Sequence, residues 1–337
     1  MAYSGNTDFF SPKELSVGVA VDGTNVGTAA TTVQLIEADS VSFPSFNDTI
    51  VERRANAGSG IMVATGDINS FNLGNNIEFS VSGYLTDTLM AVLMPNALSQ
   101  GFAGDVISVD GTSSARKNFE HGVAVTTAKL GLTFAFSGGT GFADCVVVPG
   151  CVCTSFGMSA DPNEDGGRMK FDATYTSRTP VSTTWVTSGG TLTALSSDYI
   201  FLGDYSNHVK MGGYDVVLKS FGLTIENPVT FSGFGGSGTD GAPQQYLRSI
   251  PEMNITVNPV FKYDTNLAGL WAKSRTMADA GTFQMADNAT YSSGNRAIHI
   301  DATTVQSIGW DEGDYLGLSL ELKARGDDVA SFYIKHA

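Results

Sequence analysis

Residues 161–172 read DPNEDGGRMKFD, and Asp161, Asn163, Asp165 and Gly166 follow the D-x-N-x-D-G spacing that opens a calcium loop. Asp172 stands at the twelfth place, where such loops use a bidentate acid. Oxygen-bearing side chains at this spacing can converge on one hard cation, so Asp161, Asn163, Asp165 and Asp172 are the metal candidates of the chain. Their surroundings argue for something else. Arg168 takes the eighth place, which calcium loops give to an apolar residue, and the flanks SFGMS and RMKFDATY alternate as two strands rather than helices. Pro162 restricts φ in a way that suits a turn. The expected structure is an acidic turn closing a strand hairpin, and no metal or other cofactor is expected.

Catalytic patterns fare no better. Gly233, Gly235 and Gly238 spell G-x-G-x-x-G, but TDGAP follows where a dinucleotide site needs a helix, so a hairpin tip is expected. No lysine follows a glycine, which excludes a phosphate-binding G-K-[ST] loop, and neither a G-x-S-x-G elbow nor an H-E-x-x-H pair occurs. His121, His208, His299 and His336 are scattered. Arg325-Gly326-Asp327 spells an adhesion tripeptide that reads more simply as a turn after a strand. Cys145, Cys151 and Cys153 sit together without a histidine to complete a zinc set, and are expected as reduced, partly buried thiols of a protein made in a cytoplasm. No catalytic residue is assigned, and the protein is not expected to be an enzyme.

The elements that carry these residues are strands. Charged residues make up 16% of the 337, below the roughly 25% of ordinary soluble domains, and Gly, Ser and Thr fill the difference. Period-two alternation recurs: Ile77, Phe79, Val81 and Leu85 share a face, as do Met169, Phe171, Ala173 and Tyr175, and Leu318, Leu320 and Leu322. Only DTLMAVLM at 87–94 and DTNLAGLWAKSRTMADA at 264–280 carry a helical pattern, each opened by an Asp-Thr pair that can cap it. The net charge of −15 argues against a basic nucleic-acid-binding surface, though not against a wall past which DNA slides. No apolar stretch reaches the roughly 18 residues of a membrane helix, and the segment MAYSGNTDFFSPKELSV has no secretory pattern.

The chain also repeats itself. Asp87-Thr88 and Asp264-Thr265 lie 177 positions apart, the strands at 77–85 and 255–263 match at a shift of 178, and so do Ser42-Phe43 and Ser220-Phe221. Further on, LGLTFAF at 130–136 matches LGLSLEL at 316–322 at a shift of 186. Landmarks in one order at near-constant spacing imply a duplication, with residues 1–145 as the first copy and 146–337 as the second. The second copy gains an extra hairpin at about 150–183. Each half carries a long excursion, 50–76 and 228–253, and loops of that length usually bind something or meet a neighbour.

Four stretches together resemble the tail tube (major tail) proteins of long-tailed bacteriophages, in the two-domain branch. KSFGLTIENPV at 219–229 is similar to the family's strand into an Asn-rich turn, and MNITVNPVFKYDTNLAGLW at 253–271 to the next strand and flanking helix. CTSFGMSADPNEDGGRMKFDATY at 153–175 is similar to the hairpin joining the halves, and GLSLELKARGDD at 317–328 to the closing strand. The resemblance implies a mostly β chain of two tandem β-sandwich or barrel domains, each with a short flanking helix. It implies a structural virion protein, made in the host cytoplasm, whose trimeric rings stack into a tube around the tape-measure protein. Tail terminator and distal tail proteins would meet its ends, and DNA would pass through the lumen without specific binding. The 50–76 and 228–253 excursions would make contacts between rings. Another virion β-protein, such as a capsid decoration or tail-associated protein, is the alternative.

Overall fold

The structure, a computed structural model, describes residues 15–46, 50–54, 68–72, 77–98, 106–110, 119–120, 131–138, 145–178, 191–205, 208–227, 229–232, 245–248, 252–260, 268–269, 271–272, 279–289, 295–312, 316–324 and 329–333. The fold is mostly β. In chain order the first part holds β1 (Leu15–Val21), β2 (Thr32–Ile36), β3 (Ala38–Val41), β4 (Ser45–Phe46), β5 (Ile50–Arg54), β6 (Ile68–Asn72), β7 (Ile77–Tyr84), helix α1 (Asp87–Leu98), β8 (Val106–Asp110), β9 (Phe119–Glu120) and β10 (Leu132–Gly138). There follow β11 (Cys145–Ala160), β12 (Lys170–Ser177), β13 (Thr191–Thr193), β14 (His208–Met211), β15 (Tyr214–Asp215), β16 (Val217–Glu226), β17 (Val229–Ser232) and β18 (Gln245–Arg248). The last five are β19 (Glu252–Val260), β20 (Asp279–Ala286), β21 (Ala297–Glu312), β22 (Leu316–Ala324) and β23 (Val329–Tyr333).

The expected hairpin is present, and it is central rather than appended. β11 and β12 pair antiparallel; β12 then pairs with β7 on its other side, and β11 with β16. The ladders continue through β16–β19, β19–β22 and β22–β21, so one sheet crosses from the first half into the second. β3 closes its first-half edge on β7. Before entering that sheet, β11 runs along β10 through Cys151, in a second layer built from β2, β1 and β10. Gly150, at φ 67°, lies next to Cys151 at this change of layer, a conformation that L side chains rarely adopt.

The two layers close on an aromatic core. Phe134 and Phe136 of β10 meet Phe79 of β7 edge-on at 5.0 and 5.2 Å between ring centroids, and Tyr175 of β12 lies 4.5 Å from Phe134. All four are buried. The second half builds its own apolar layer from Phe221, Ile255, Val257, Leu318, Leu320 and Leu322, with Phe283 stacked on Phe221 at 5.9 Å. The closing stretches therefore sit differently: β22 pairs with β19, whereas β10 faces β7 across the core and β12 takes the place beside it.

Helix α1 forms where its sequence places it. Thr86 Oγ1 accepts the Leu89 N–H at 3.1 Å, a side-chain cap, and Leu89, Met90, Leu93, Met94, Ala97 and Leu98 are buried. Asn96 anchors it to β11, donating to the Cys151 carbonyl at 3.1 Å and accepting the Cys153 N–H at 2.7 Å. The segment expected as a helix over 264–280 is helical at 268–269 and 271–272, but from Asp279 the chain is strand β20. Phe283 and Met285 alternate into the core there, and that burial outweighs local helix preference.

Two buried polar clusters fix the assembly. Asp22 accepts the Gly27 N–H at 2.8 Å, the Thr133 hydroxyl at 2.8 Å and the Gly150 N–H at 3.2 Å, tying β1, β10 and β11 together. Arg296, just before β21, clamps Asp87 at the start of α1 and reaches Asp204 at 2.6 Å, so it joins the two halves. Asp87 is buried, and removing its partner would strand a charge. Arg296→Ala should cost about 3–5 kcal/mol in chemical denaturation. An Arg296→Met, Asp87→Leu pair should recover much of the loss, because it removes both charges. Burial, the largest influence, pushes the Asp22 carboxyl above its ordinary value, with its hydrogen bonds opposing. Its contribution is therefore fully present below the unfolded value and lost as pH rises through the folded one. Relative to Asp22→Asn, the wild type should lose stability as pH rises above the ordinary carboxylate range, whatever constant offset the amide introduces; parallel stabilities across that rise would contradict this.

Candidate functional site

Alternation gives the large sheet two unlike faces. In β7, Ile77, Phe79 and Val81 point into the core while Glu78, Ser80 and Ser82 do not; β19 does the same with Met253, Ile255 and Val257 against Glu252, Asn254 and Thr256. Because register is fixed by backbone pairing, the outward residues line up across strands. One row runs Ser82, Asp172, Gly157, Thr224, Asn254, Lys323 and Thr304, crossing β7, β12, β11, β16, β19, β22 and β21. At ~4.8 Å per strand that row is about 29 Å long. The next row holds Ser80, Thr174, Ser155, Glu226 and Glu252. This face is thus a broad surface of hydroxyls, amides and carboxylates spanning both halves.

Its charge is negative. Glu78, Asp172, Glu226, Glu252 and Glu321 stand on it, against Lys170 and Lys323. Both lysines are engaged: Lys323 with Glu252 at 2.7 Å, and Lys170 with Asp165 at 2.5 Å. Ser155 donates to Glu226 at 3.1 Å and Ser307 to Glu321 at 2.9 Å, while Glu78 and Asp172 make no ion pair among the described residues. The cations are spent on internal partners, and the residual field of the face is acidic.

The ends of the sheet differ as well. The chain leaves it between β4 and β7, where Phe46 pairs with Ile77, to make the β5–β6 hairpin. It leaves again between β16 and β19, where Glu226 pairs with Glu252, to make β17–β18, which β9 joins as a third strand. Through the row of Ser80, Thr174, Ser155 and Glu226 these two departures lie at one end. At the other end the turn at 161–168 arches over the polar face and bounds an open cleft of about 240 Å³, lined by Ser159, Asp161, Glu164, Arg168, Ser220 and Thr256, among others.

The calcium candidates are placed in that turn and beyond it. Asp161 Oδ1 accepts the Asn163 backbone N–H at 2.8 Å and its side-chain amide at 3.1 Å. Asp165, at φ 47°, pairs with Lys170, which together with a hydrogen bond from Tyr84 holds its carboxyl below the ordinary value. Asp172 lies on the exposed side of β12, opposite Ser82 and Gly157. Among the described residues no group of three or more His, Cys, Asp and Glu has a metal-binding arrangement. Arg168 is held between the rings of Tyr84 and Tyr199, 4.3 and 3.8 Å from their centroids, and pairs with Glu37 at 3.5 Å.

Cys151 and Cys153 are buried thiols, with sulfurs 3.2 Å from the Val148 and Ser155 carbonyls. Burial, with the Asp22 carboxylate, pushes the Cys151 thiol well up, so little thiolate forms there. Cys145 begins β11. His299 Nε2 lies 2.6 Å from Asp301, and His208 begins β14. His121, His336, the Gly233–Gly238 tip and the Arg325-Gly326-Asp327 tripeptide lie outside the described residues. Sequence reading missed the polar face as a single surface. Its signal, Ser, Thr, Asn and Gly at alternate strand positions, was present, but the register that joins β12 to β7 and β11 to β16 is not written locally.

Among the described residues no helix is long and apolar enough to cross a membrane. No curated protein matches the chain significantly. A family model described as phage tail tube protein matches residues 13–326, nearly the whole length.

Proposed function

The chain belongs to the phage tail tube protein family, a structural component of the virion tail that assembles into the tube, and we propose that its acidic polar sheet face lines the lumen of that tube. The observation that carries this is the unbroken outward row from Ser82 to Thr304 across seven strands of both halves. A conduit for DNA needs a wall that offers hydration and no cationic holds. Like charge on wall and phosphate keeps the duplex from stalling.

Ring closure follows from the sheet edges. β3 pairs only with β7 among the described residues, and β21 beyond Thr304 pairs only with β22. Pairing of these edges between neighbouring copies satisfies backbone groups that would otherwise template aggregation. We assign residues 1–145 and 146–337 to two related tube domains, so that three copies make a ring of six-fold character. In support, each half flanks its excursion with an antiparallel strand pair, β4 with β7 and β16 with β19. Stacked rings enclose the tape-measure protein, tail terminator and distal tail proteins cap the ends, and DNA crosses the lumen at ejection. The protein acts by self-association and makes or breaks no bond.

Concentrated purified protein should form rings or hollow tubes in negative-stain electron microscopy. Particles that stay monomeric at every concentration would overturn the reading.

A further inference from the structure

The pairing order of the large sheet occurs twice. β3, β7, β12 and β11 lie side by side in that order, and beyond them β16, β19, β22 and β21 do the same. The likeness extends to single residues. β11 reads Ser155-Phe156-Gly157-Met158 just after its register with β12 breaks at Cys153/Ser155. β21 reads Ser307-Ile308-Gly309-Trp310 just after its register with β22 breaks at Val305/Ser307. One displacement carries Cys153 to Val305, Gly157 to Gly309 and Met158 to Trp310, so Trp310 is the counterpart of Met158.

The two sets differ in what lies against this strand. β11 is zipped to β16, where Met158 stands opposite Leu223 and both are buried. Beyond Thr304, β21 pairs only with β22 among the described residues, and Trp310 is 48% exposed. The matching half of the contact is at the other open edge. Leu223 stands opposite Ile255, and Ile255 opposite Leu322, which meets the break at Val305. In the first set the residue so placed is Phe79, opposite Tyr175, which meets the break at Cys153. Val41 pairs with Val81 and the Ser42 N–H donates to the Ser80 carbonyl at 2.9 Å, so Phe43 falls opposite Phe79 and holds the place of Leu223. Phe43 is 50% exposed.

Both rings border the apolar layer. Trp310 pairs with the buried Leu318 and stacks on Trp271 at 5.3 Å, and Phe43 lies 5.7 Å from the buried Phe136. We infer that the seam between two copies of this chain repeats the internal β11–β16 seam, with β21 of one copy antiparallel to β3 of the next and Trp310 opposite Phe43. Two large rings then stand where the internal seam has Met158 and Leu223, and each covers apolar surface that the separate chain leaves in water. Cross-strand aromatic pairs hold register. A slip of one residue would set Trp310 against Ser42, whose hydroxyl accepts the Ser80 N–H at 2.7 Å on the polar side. The contact joins two different edges, so repeated rotation closes it into a ring. This inference rests on the tube reading and names the residues and register that the reading leaves open.

Disulfide trapping on the full chain tests it. Phe43→Cys combined with Trp310→Cys, assembled and then oxidised, should give a ladder of cross-linked copies that ends at the closed ring, because directly opposed strand residues lie within disulfide reach. Either single variant should lack the ladder, and so should Phe43→Cys with Gly309→Cys, whose side chains would point to opposite faces. The wild type supplies a second reading without any substitution. Its tryptophan emission should shift to the blue and resist iodide quenching when rings form, and Trp310→Phe should form rings with most of that change lost. Double-variant rings that fail to cross-link, or wild-type rings quenched as readily as the monomer, would overturn this seam and leave the tube reading standing. A wild type that forms neither rings nor tubes would overturn both.

Discussion

Backbone hydrogen bonding through the β11–β12 hairpin is the constraint on which the rest depends. β12 is zipped to β7 over eight rungs, from Lys170 with Tyr84 to Ser177 with Ile77, and β11 is zipped to β16 from Ser155 to Ala160. Without this hairpin the first-half and second-half ladders would be two sheets with four edges. With it they are one sheet, and every outward residue has a fixed neighbour. A one-residue slip in any of these ladders would turn Phe171, Ala173 and Tyr175 outward and bring Asp172 into the core, so the apolar layer beneath enforces the polar pattern above.

That layer is held by different means in its two parts. Around β10 the aromatic rings of Phe79, Phe134, Phe136 and Tyr175 fill the space between sheets, and edge-on contacts add to their area burial. At the junction of the halves, charge takes over. Arg296 reaches from β21 to the first residue of α1, and Asn96 at the other end of the helix holds β11 where it changes layer. α1 is therefore clamped at both ends to elements distant in sequence, which fixes how the two apolar layers sit on each other.

Much of this was legible in the residues. Alternation located the strands β7, β12, β19 and β22, the helical pattern from Asp87 located α1, though Thr86 and not the Asp87-Thr88 pair supplies its cap, and Pro162 with Arg168 identified the acidic stretch as a turn. Other features were not legible, for physical reasons. Asp22 reads as an ordinary acidic loop residue, because three donors that satisfy it arrive from residues 27, 133 and 150. Arg296 lies in a Gly- and Ser-rich stretch, and nothing near it predicts a partner 209 positions away. The last two residues of the second helical segment, Asp279 and Ala280, belong to β20 instead, because Phe283 and Met285 further along that strand alternate into the core. Alternation names two faces of a strand without saying which faces what; only the pairing of β12 with β7 makes the polar residues of both halves one surface.

The central claim is that this surface faces the channel. An electron cryomicroscopy reconstruction of assembled tubes tests it most directly. The account predicts that Ser82, Asp172, Thr224 and Asn254 line the lumen, in rows continuous from one copy to the next. A reconstruction that turns this face to the outside of the tube, or buries it between rings, would contradict it.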